Sequence, residues 1–195
     1  MSDIDLHTSS DTIYRLPRSH WHCHFSNFEW GTVQPSGLLE QMETFLESVA
    51  AGRDTHLLLA GRPGIGKTHL GVAAYRWMAD RVGTTLTTWV NVPTFCDHIK
   101  QSYNDSEYDP LLDYADARAL VVLDDLFGRT LTEYEANQII VRLLDIAYQN
   151  GAAMLITMNR SIEELPQRLH PHEISRLLTH ATIISMQGHD HRRSI

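Results

Sequence analysis

Between residues 57 and 70 an apolar run passes without a break into a glycine-rich turn and then a lysine and a threonine: Leu57-Leu58-Leu59-Ala60-Gly61-Arg62-Pro63-Gly64-Ile65-Gly66-Lys67-Thr68-His69-Leu70. The apolar residues ahead of the turn read as a buried strand, and the Ala-rich amphipathic stretch from His69 to Val82 reads as a helix. Gly61, four intervening residues and Gly66-Lys67-Thr68 then make a phosphate-binding loop between that strand and that helix. A plain glycine turn would account for Gly66 but not for the Lys67-Thr68 pair beside it. Glycines 61, 64 and 66 let successive backbone N–H groups face phosphate oxygens. Lys67 reaches the β and γ phosphates as a point charge, and the Thr68 hydroxyl is placed to ligate Mg²⁺. Arg62, Pro63, Ile65 and His69 complete the nucleotide-binding stretch, whose helix presents its positive end to the anion. ATP and Mg²⁺ are therefore the expected cofactors.

A second signal supports the first. Ala119-Leu120-Val121-Val122-Leu123-Asp124-Asp125-Leu126 is an apolar run too short for a helix that ends in two carboxylates, the pattern of a central strand buried on both faces. An acid at the end of such a strand sits beside the phosphate loop and holds the Mg²⁺ shell, which is the role expected of Asp124. Asp125 is then placed to orient or deprotonate the attacking water. The alternative is a solvated pair of acids where the strand meets its loop.

The remaining segments alternate strand and helix. Leu38, Leu39, Met42, Phe45, Leu46 and Val49 fall at helical spacing after Ser36, the expected N-cap. Thr84 to Asn91 is rich in β-branched residues and reads as a strand, and Pro93-Thr94 opens a helix carrying Phe95, Ile99 and Tyr103. Lys100 and Tyr103 on that helix could offer a cation and a stacking ring to single-stranded nucleic acid; the alternative is a solvated charge and a packing ring. Thr132-x-x-Glu135 is a capping box ahead of a long helix that Gly151 ends. Ala153 to Thr157 is the next strand and delivers Asn159, whose amide can polarise the attacking water or touch the γ-phosphate; it is otherwise a turn residue before the box Ser161-x-x-Glu164. A short helix from Glu173 to Leu178 carries Arg176, and a last strand runs from Thr182 to Met186. Near the start, His20-Trp21-His22-Cys23-His24 invites a metal reading, but no matching Cys/His pair stands at ligand spacing nearby, so these read as surface and packing residues.

At 195 residues and 43% apolar content, the chain has the size and composition of one domain with a true core, here residues 21–195 behind a polar arm of residues 1–20. No stretch approaches the roughly 18 apolar residues of a membrane span, and Met1-Ser2-Asp3-Ile4-Asp5 has neither the basic nor the apolar region of a signal peptide. Cys23 and Cys96 are too few for a disulfide framework, which points to a reducing cytoplasm, while the want of an apolar span leads to the expectation of no membrane partner. Sixteen Lys plus Arg against twenty-four Asp plus Glu give a net charge of −8, and Lys67 and Lys100 are the two lysines. A dedicated nucleic-acid binder usually carries a basic balance, so any such contact here is local, ATP-dependent or shared between subunits.

With both acid-and-loop elements, Asn159 and Arg176 placed, the chain resembles the AAA+ ATPases of the DnaC/DnaI helicase-loader and IstB transposition group. The likeness runs from about Phe25 to Arg192, through H-F-S-N-F (24–28), G-R-P-G-I-G-K-T-H-L (61–70), V-V-L-D-D-L (121–126), L-I-T-M-N (155–159), S-R-L-L (175–178) and G-H-D-H-R (188–192). The resemblance implies an α/β P-loop NTPase fold, with a parallel five-stranded sheet in the order 5-1-4-3-2 sandwiched by helices and a lid that is reduced or absent. It implies that Asn159 is the sensor asparagine, that Arg176 is an arginine finger acting on a neighbouring subunit's ATP in a homo-oligomer, and that Arg192 lies near the γ-phosphate. It implies too that the helix bearing Lys100 and Tyr103 is similar to the element with which loaders contact single-stranded DNA. The functions that follow are helicase loading in DNA replication, with a replicative helicase as partner, or a transposition accessory ATPase that assembles on DNA and recruits a transposase. A nucleotide-switched binding module with little hydrolysis is the reading from another class. Two departures stand out: about twenty residues precede the matching stretch, where loaders carry a helicase-binding domain, and Asp125 stands where many AAA+ proteins have glutamate.

Overall fold

The computed structural model describes Leu16 and residues 18–102, 118–129, 132 and 134–191. Tyr103, Arg192 and most of the N-terminal arm lie outside the described residues. In chain order the elements are β1 (Val33–Gln34), α1 (Leu38–Ala50), β2 (His56–Gly61), α2 (Lys67–Val82), β3 (Thr87–Asn91), α3 (Val92–Ser102), β4 (Leu120–Leu126), α4 (Val141–Gln149), β5 (Ala153–Met158), α5 (Pro171–Leu178) and β6 (Ala181–Gly188). A π-helical stretch, Glu135–Ile140, leads directly into α4. The helical periodicity before the phosphate loop becomes α1, but its N-cap is Gly37 in the left-handed region (φ 84°) rather than Ser36. Thr84–Leu86, expected as strand, forms a short 3₁₀ turn ahead of β3.

The sheet is ordered β1-β6-β2-β5-β4-β3. The neighbours β6-β2, β2-β5, β5-β4 and β4-β3 are all parallel, so counted from β2 these five strands stand in the order 5-1-4-3-2. The expectation of a five-stranded, wholly parallel sheet is corrected at one edge. There β1 pairs antiparallel with the end of β6, through Val33↔Gly188 and Gln34↔Gln187, and makes a mixed sheet of six strands. Two residues are too few to show any periodicity, which is why β1 left no strand signal.

Alternation along the central strands divides the core in two. Leu57 and Leu59 of β2, with Leu120 and Val122 of β4, face a cluster built with α1 and α2. Leu58 and Ala60, with Val121 and Leu123, face the cluster containing Phe95, Ile99, Leu143 and Leu177 from α3, α4 and α5. Successive side chains of a strand point to opposite faces, so a strand covered on both sides must be apolar throughout, as β2 is. This sandwich fixes the carboxyl ends of β2, β3, β4 and β5 at one level, and the candidate site lies there. No helix among the described residues is long and apolar enough to cross a membrane.

At the opposite ends of the strands, His56 is buried and its Nδ1 accepts the Met154 N–H at 3.1 Å. Burial pushes its pKa below the ordinary 6.5, the facing Asp54 carboxylate pulls it up, and His180 pushes it down again. The fold thus favours the neutral ring, while the unfolded chain takes a proton near pH 6.5. The stabilisation is present above that pH and is lost as the pH falls below it toward the folded value. The melting temperature of the parent is expected to drop between pH 7.5 and 5.5 by more than that of His56→Asn, whose Oδ1 can take the same N–H without titrating. Parallel pH profiles would remove His56 from the acid response.

Candidate nucleotide site

The loop leaves β2 at Gly61 and enters α2 at Lys67, with Gly66 as the helix N-cap at φ 91°. Gly64 takes the same left-handed region at φ 84°. The left-handed backbone calls for glycine at both positions, and it lets the Asp190 carboxylate and the Phe28 ring close on Gly64 and Gly66, where a Cβ would displace them. Lys67 is 5% exposed, and its Nζ donates to the carbonyls of Gly61 (2.8 Å) and Arg62 (2.6 Å), folding the loop around the ammonium. The segment after β6 straps the loop from outside: the His191 N–H donates to the Gly64 carbonyl at 3.1 Å, while its ring meets Thr32 (3.3 Å) and Glu29 (3.5 Å).

The two acids are delivered by a strand that loses its register as it ends. Pairing between β4 and β5 shifts between Leu123 and Leu126, and Asp125 and Phe127 both take left-handed backbone (φ 61° and 60°). Such a bulge re-aims a side chain that regular pleating would place elsewhere. The Asp125 N–H donates to Thr157 Oγ1 at 2.9 Å, and the Thr157 hydroxyl donates to Asp124 Oδ1 at 2.8 Å. The Thr68 and Asn91 side chains also face Asp124 and favour its charged form. Asn91 stands opposite Asp124 in the β3–β4 register, and its Oδ1 caps α3 by accepting the Thr94 N–H and hydroxyl at 3.2 and 2.7 Å. On the other acid, Asn159 Nδ2 donates to Asp125 Oδ1, and Gly128 closes the turn with its N–H on the Asp125 carbonyl at 2.8 Å.

Burial (2% exposed) pushes the Asp124 carboxyl above the usual range, opposed by the Thr157 hydrogen bond and by the Thr68 and Asn91 side chains and reinforced by the charge of Asp125. A buried carboxylate facing the threonine of the phosphate loop suits Mg²⁺. That ion takes one or two protein oxygens beside substrate phosphates rather than an all-protein cage, and no group of three or more His, Cys, Asp or Glu side chains among the described residues could hold a metal.

These groups share a cavity of about 1150 Å³. Asp124, Asp125, Thr157 and Asn159 line it, together with His20, His22, Cys23 and Phe28. His22 is exposed and Cys23 buried, as surface and packing residues would be, and with His20 they also line the cavity. His69 ties that wall to the loop: its Nε2 lies 2.9 Å from the His24 carbonyl, and burial pushes its pKa below the ordinary value, so a neutral ring donates. Thr157, Asn91 and the 19–28 wall were missed from sequence. Thr157 did leave a signal, since it lies two residues before Asn159 and so on the same face at the strand's end.

Of the expected phosphate-loop stretch, Gly61, Arg62 and Ile65 do not line the cavity, Ile65 being buried in the core, and outside the loop Arg176 and Lys100 stand apart from it as well. Arg176 donates from Nη1 to Asp145 on α4 and lies 5.4 Å over the Tyr148 ring. The Lys100 ammonium meets both Asp97 and Glu135 at 2.9 Å. Glu135 is fully buried and also bidentate to Arg129 at 2.7 and 3.2 Å, which holds its carboxyl well below the usual carboxylate range.

A parallel sheet whose central strand runs through a glycine loop into a helix, with an acid at the end of a nearby strand, defines a P-loop NTPase. The chain belongs to the family of IstB-like ATP binding proteins, whose profile matches residues 14–194, and it is an ATP-binding member of the AAA+ DnaC/IstB group. The ATP-binding protein of insertion sequence IS232 from Bacillus thuringiensis subsp. berliner is 25% identical over 167 residues, 82% of this chain and 64% of that protein. The replicative helicase loader DnaI of Bacillus subtilis (strain 168) is 23% identical over 129 residues, 66% of this chain and 41% of that protein. The chain therefore spans between about two-fifths and just under two-thirds of the length of these relatives. In fold it is similar to the crystal structure of the DnaC helicase loader, with a TM-score of 0.73 at 19% identity, covering 88% of this chain and 100% of that one.

Proposed function

We propose that this chain hydrolyses ATP and uses the cycle to assemble on DNA and deliver a partner protein there, in the manner of a helicase loader. The observation that carries the reading is the Asp125 carboxylate, gripped by Asn159 beside Asp124 and opening into the cavity that also holds Lys67. Lys67 and the loop N–H groups bind the β and γ phosphates. Thr68 and Asp124 would hold Mg²⁺, which when bound neutralises charge on the phosphates. Asp125 orients the water and accepts its proton, and Asn159 fixes the direction of that carboxylate. Phe28, buried against Trp30 and edge-on to His69, stiffens the cavity wall beside the phosphate loop. Arg176, and Arg192 beyond the described residues, would supply positive charge to the transition state, Arg176 from a neighbouring copy in a cytoplasmic homo-oligomer. A DNA phosphate at Lys100 would have to compete with two carboxylates already 2.9 Å from its ammonium.

Lys67→Ala is expected to weaken ATP binding by at least about a hundredfold, because charge-assisted hydrogen bonds to the phosphates are worth about 1.5–3 kcal/mol each. Parental affinity in a titration with a fluorescent ATP analogue would move the nucleotide elsewhere. A second reading, a transposition accessory ATPase acting with a transposase, is favoured by the IstB-like family match and by the insertion-sequence relative. Turnover stimulated by single-stranded DNA supports the loader, and ATP-dependent assembly on duplex DNA supports transposition. Binding without turnover under either condition would leave a nucleotide-switched binding module.

A further inference from the structure

We infer that Thr157 is the positioning residue for both acids of the site, its single hydroxyl acting as acceptor for Asp125 and donor to Asp124. The inference deepens the ATPase reading and rests on it. It begins from the interrupted ladder: between Leu123 and Leu126, β4 slips out of register with β5, which removes the regular β5 partner of the Asp125 N–H. A buried N–H left unpaired costs about 1–3 kcal/mol, so the bulge needs a replacement acceptor. Thr157 Oγ1 supplies it at 2.9 Å. An N–H can only donate, so the hydroxyl proton must point elsewhere, and 2.8 Å away it meets Asp124 Oδ1. With Asp124 ionised, the polarity of the chain from Asp125 through Thr157 to Asp124 is therefore fixed by hydrogen-bond chemistry.

The rotamer is fixed as well. Thr157 is 1% exposed, and its γ-methyl stands 3.6 Å from where a Cβ on Gly71 of α2 would lie. With the methyl packed toward α2, the hydroxyl is left facing the acids, and a β-branched side chain has little freedom to turn away. Asp125 gains most from this. Its left-handed backbone (φ 61°) is a conformation that non-glycine residues adopt only when their surroundings hold them there. The bond from its N–H to Thr157 is one such hold, beside the bond from Asn159 to its carboxylate and that from the Gly128 N–H to its carbonyl. Because Thr157 and Asn159 are two residues apart, a single strand end sets the direction of the backbone and of the side chain of the same aspartate.

The test compares the parent with Thr157→Val, which exchanges the hydroxyl for a methyl of similar size, and with Thr157→Ser, which keeps the hydroxyl. Three quantities are read on each protein: ADP affinity in EDTA, the factor by which Mg²⁺ tightens ATP binding, and steady-state turnover. In Thr157→Val turnover is expected to fall about a hundredfold, the lower end of what a positioned base contributes, with a diminished Mg²⁺ effect and Mg²⁺-free ADP affinity within about twofold of the parent. Thr157→Ser should recover turnover to within about fivefold of the parent. Parental turnover and Mg²⁺ response in the valine variant would overturn the inference. So would a serine variant as defective as valine, or a valine variant that loses Mg²⁺-free ADP binding in proportion, since each would make the residue a packing element. A parent that binds ATP but never hydrolyses it would sink the ATPase reading, while the Mg²⁺ effect across the three proteins still decides the role of Thr157. If melting shows the valine protein unfolded, Thr157→Cys, close in size and a weak donor, takes its place.

Discussion

Asp125→Asn is expected to bind ATP at least as tightly as the parent and to hydrolyse it about 10²–10⁴-fold more slowly, the span attributed to a positioned general base. The substitution is mild for the fold. Asparagine is one of the few residues that tolerates the left-handed backbone Asp125 adopts (φ 61°), and its own N–H still reaches Thr157 Oγ1. Its Oδ1 can keep the bond from Asn159 Nδ2. What disappears is the negative charge and the capacity to take a proton. Loss of the charge relieves repulsion with the phosphates, so affinity should hold or improve, whereas loss of basicity removes the acceptor for the water proton. Single-turnover hydrolysis with ATP in the presence of Mg²⁺ reads the chemical step, and an equilibrium titration reads binding. An unchanged hydrolysis rate would move the proton acceptor away from Asp125.

That prediction rests on both kinds of information in this chain, the local and the assembled. The phosphate loop, the two-faced strand β2 and the acids ending β4 are legible because each is a contiguous run whose period or spacing is itself the signal. The capping box at Thr132 and Glu135 is legible in the same way and forms, with the Thr132 N–H and hydroxyl on Glu135 Oε2 at 2.8 and 3.0 Å. The further role of Glu135 is not legible. The same carboxylate is buried and anchors Lys100 and Arg129, one from α3 and one from the loop after β4. No sequence spacing relates these three residues; only the packing of α3 against the helix that begins at Glu135 does. Lys100 therefore read as a free charge when it is one partner in a compact ion network. The β4 bulge was hidden for a related reason. Asp124 and Asp125 look like a regular strand end, and the register shift that separates their roles exists only against β5. Likewise the 19–28 segment carries no nucleotide signature of its own, and becomes a wall of the site only because His69 draws the His24 carbonyl to the loop.

Arg176 tests whether the site is complete within one chain. In this structure its side chain is 37% exposed, paired with Asp145 and laid over Tyr148, and it does not line the cavity that holds Asp125. A half-exposed ion pair is worth only about 0–1 kcal/mol, so little holds the guanidinium back from a phosphate brought near by another copy. An arginine supplied in trans adds charge to the transition state and little to nucleotide binding, and it contributes about 10³–10⁵ in rate in P-loop enzymes. Arg176→Ala is therefore expected to bind ATP like the parent and to lose most of its turnover, and the specific activity of the parent should rise with protein concentration as copies meet. Mixing Arg176→Ala with Asp125→Asn, each inactive alone, should restore part of the activity, because some interfaces then join an intact Asp125 in one copy to an intact Arg176 in the next. Asp145→Asn separates the two roles of the arginine: it frees the guanidinium, so a trans contributor keeps its turnover, whereas a purely structural arginine loses stability and function together. If specific activity stays flat with concentration and the mixture remains inactive despite demonstrated co-assembly, Arg176 serves as the partner of Asp145, and the charge that completes the site comes from elsewhere.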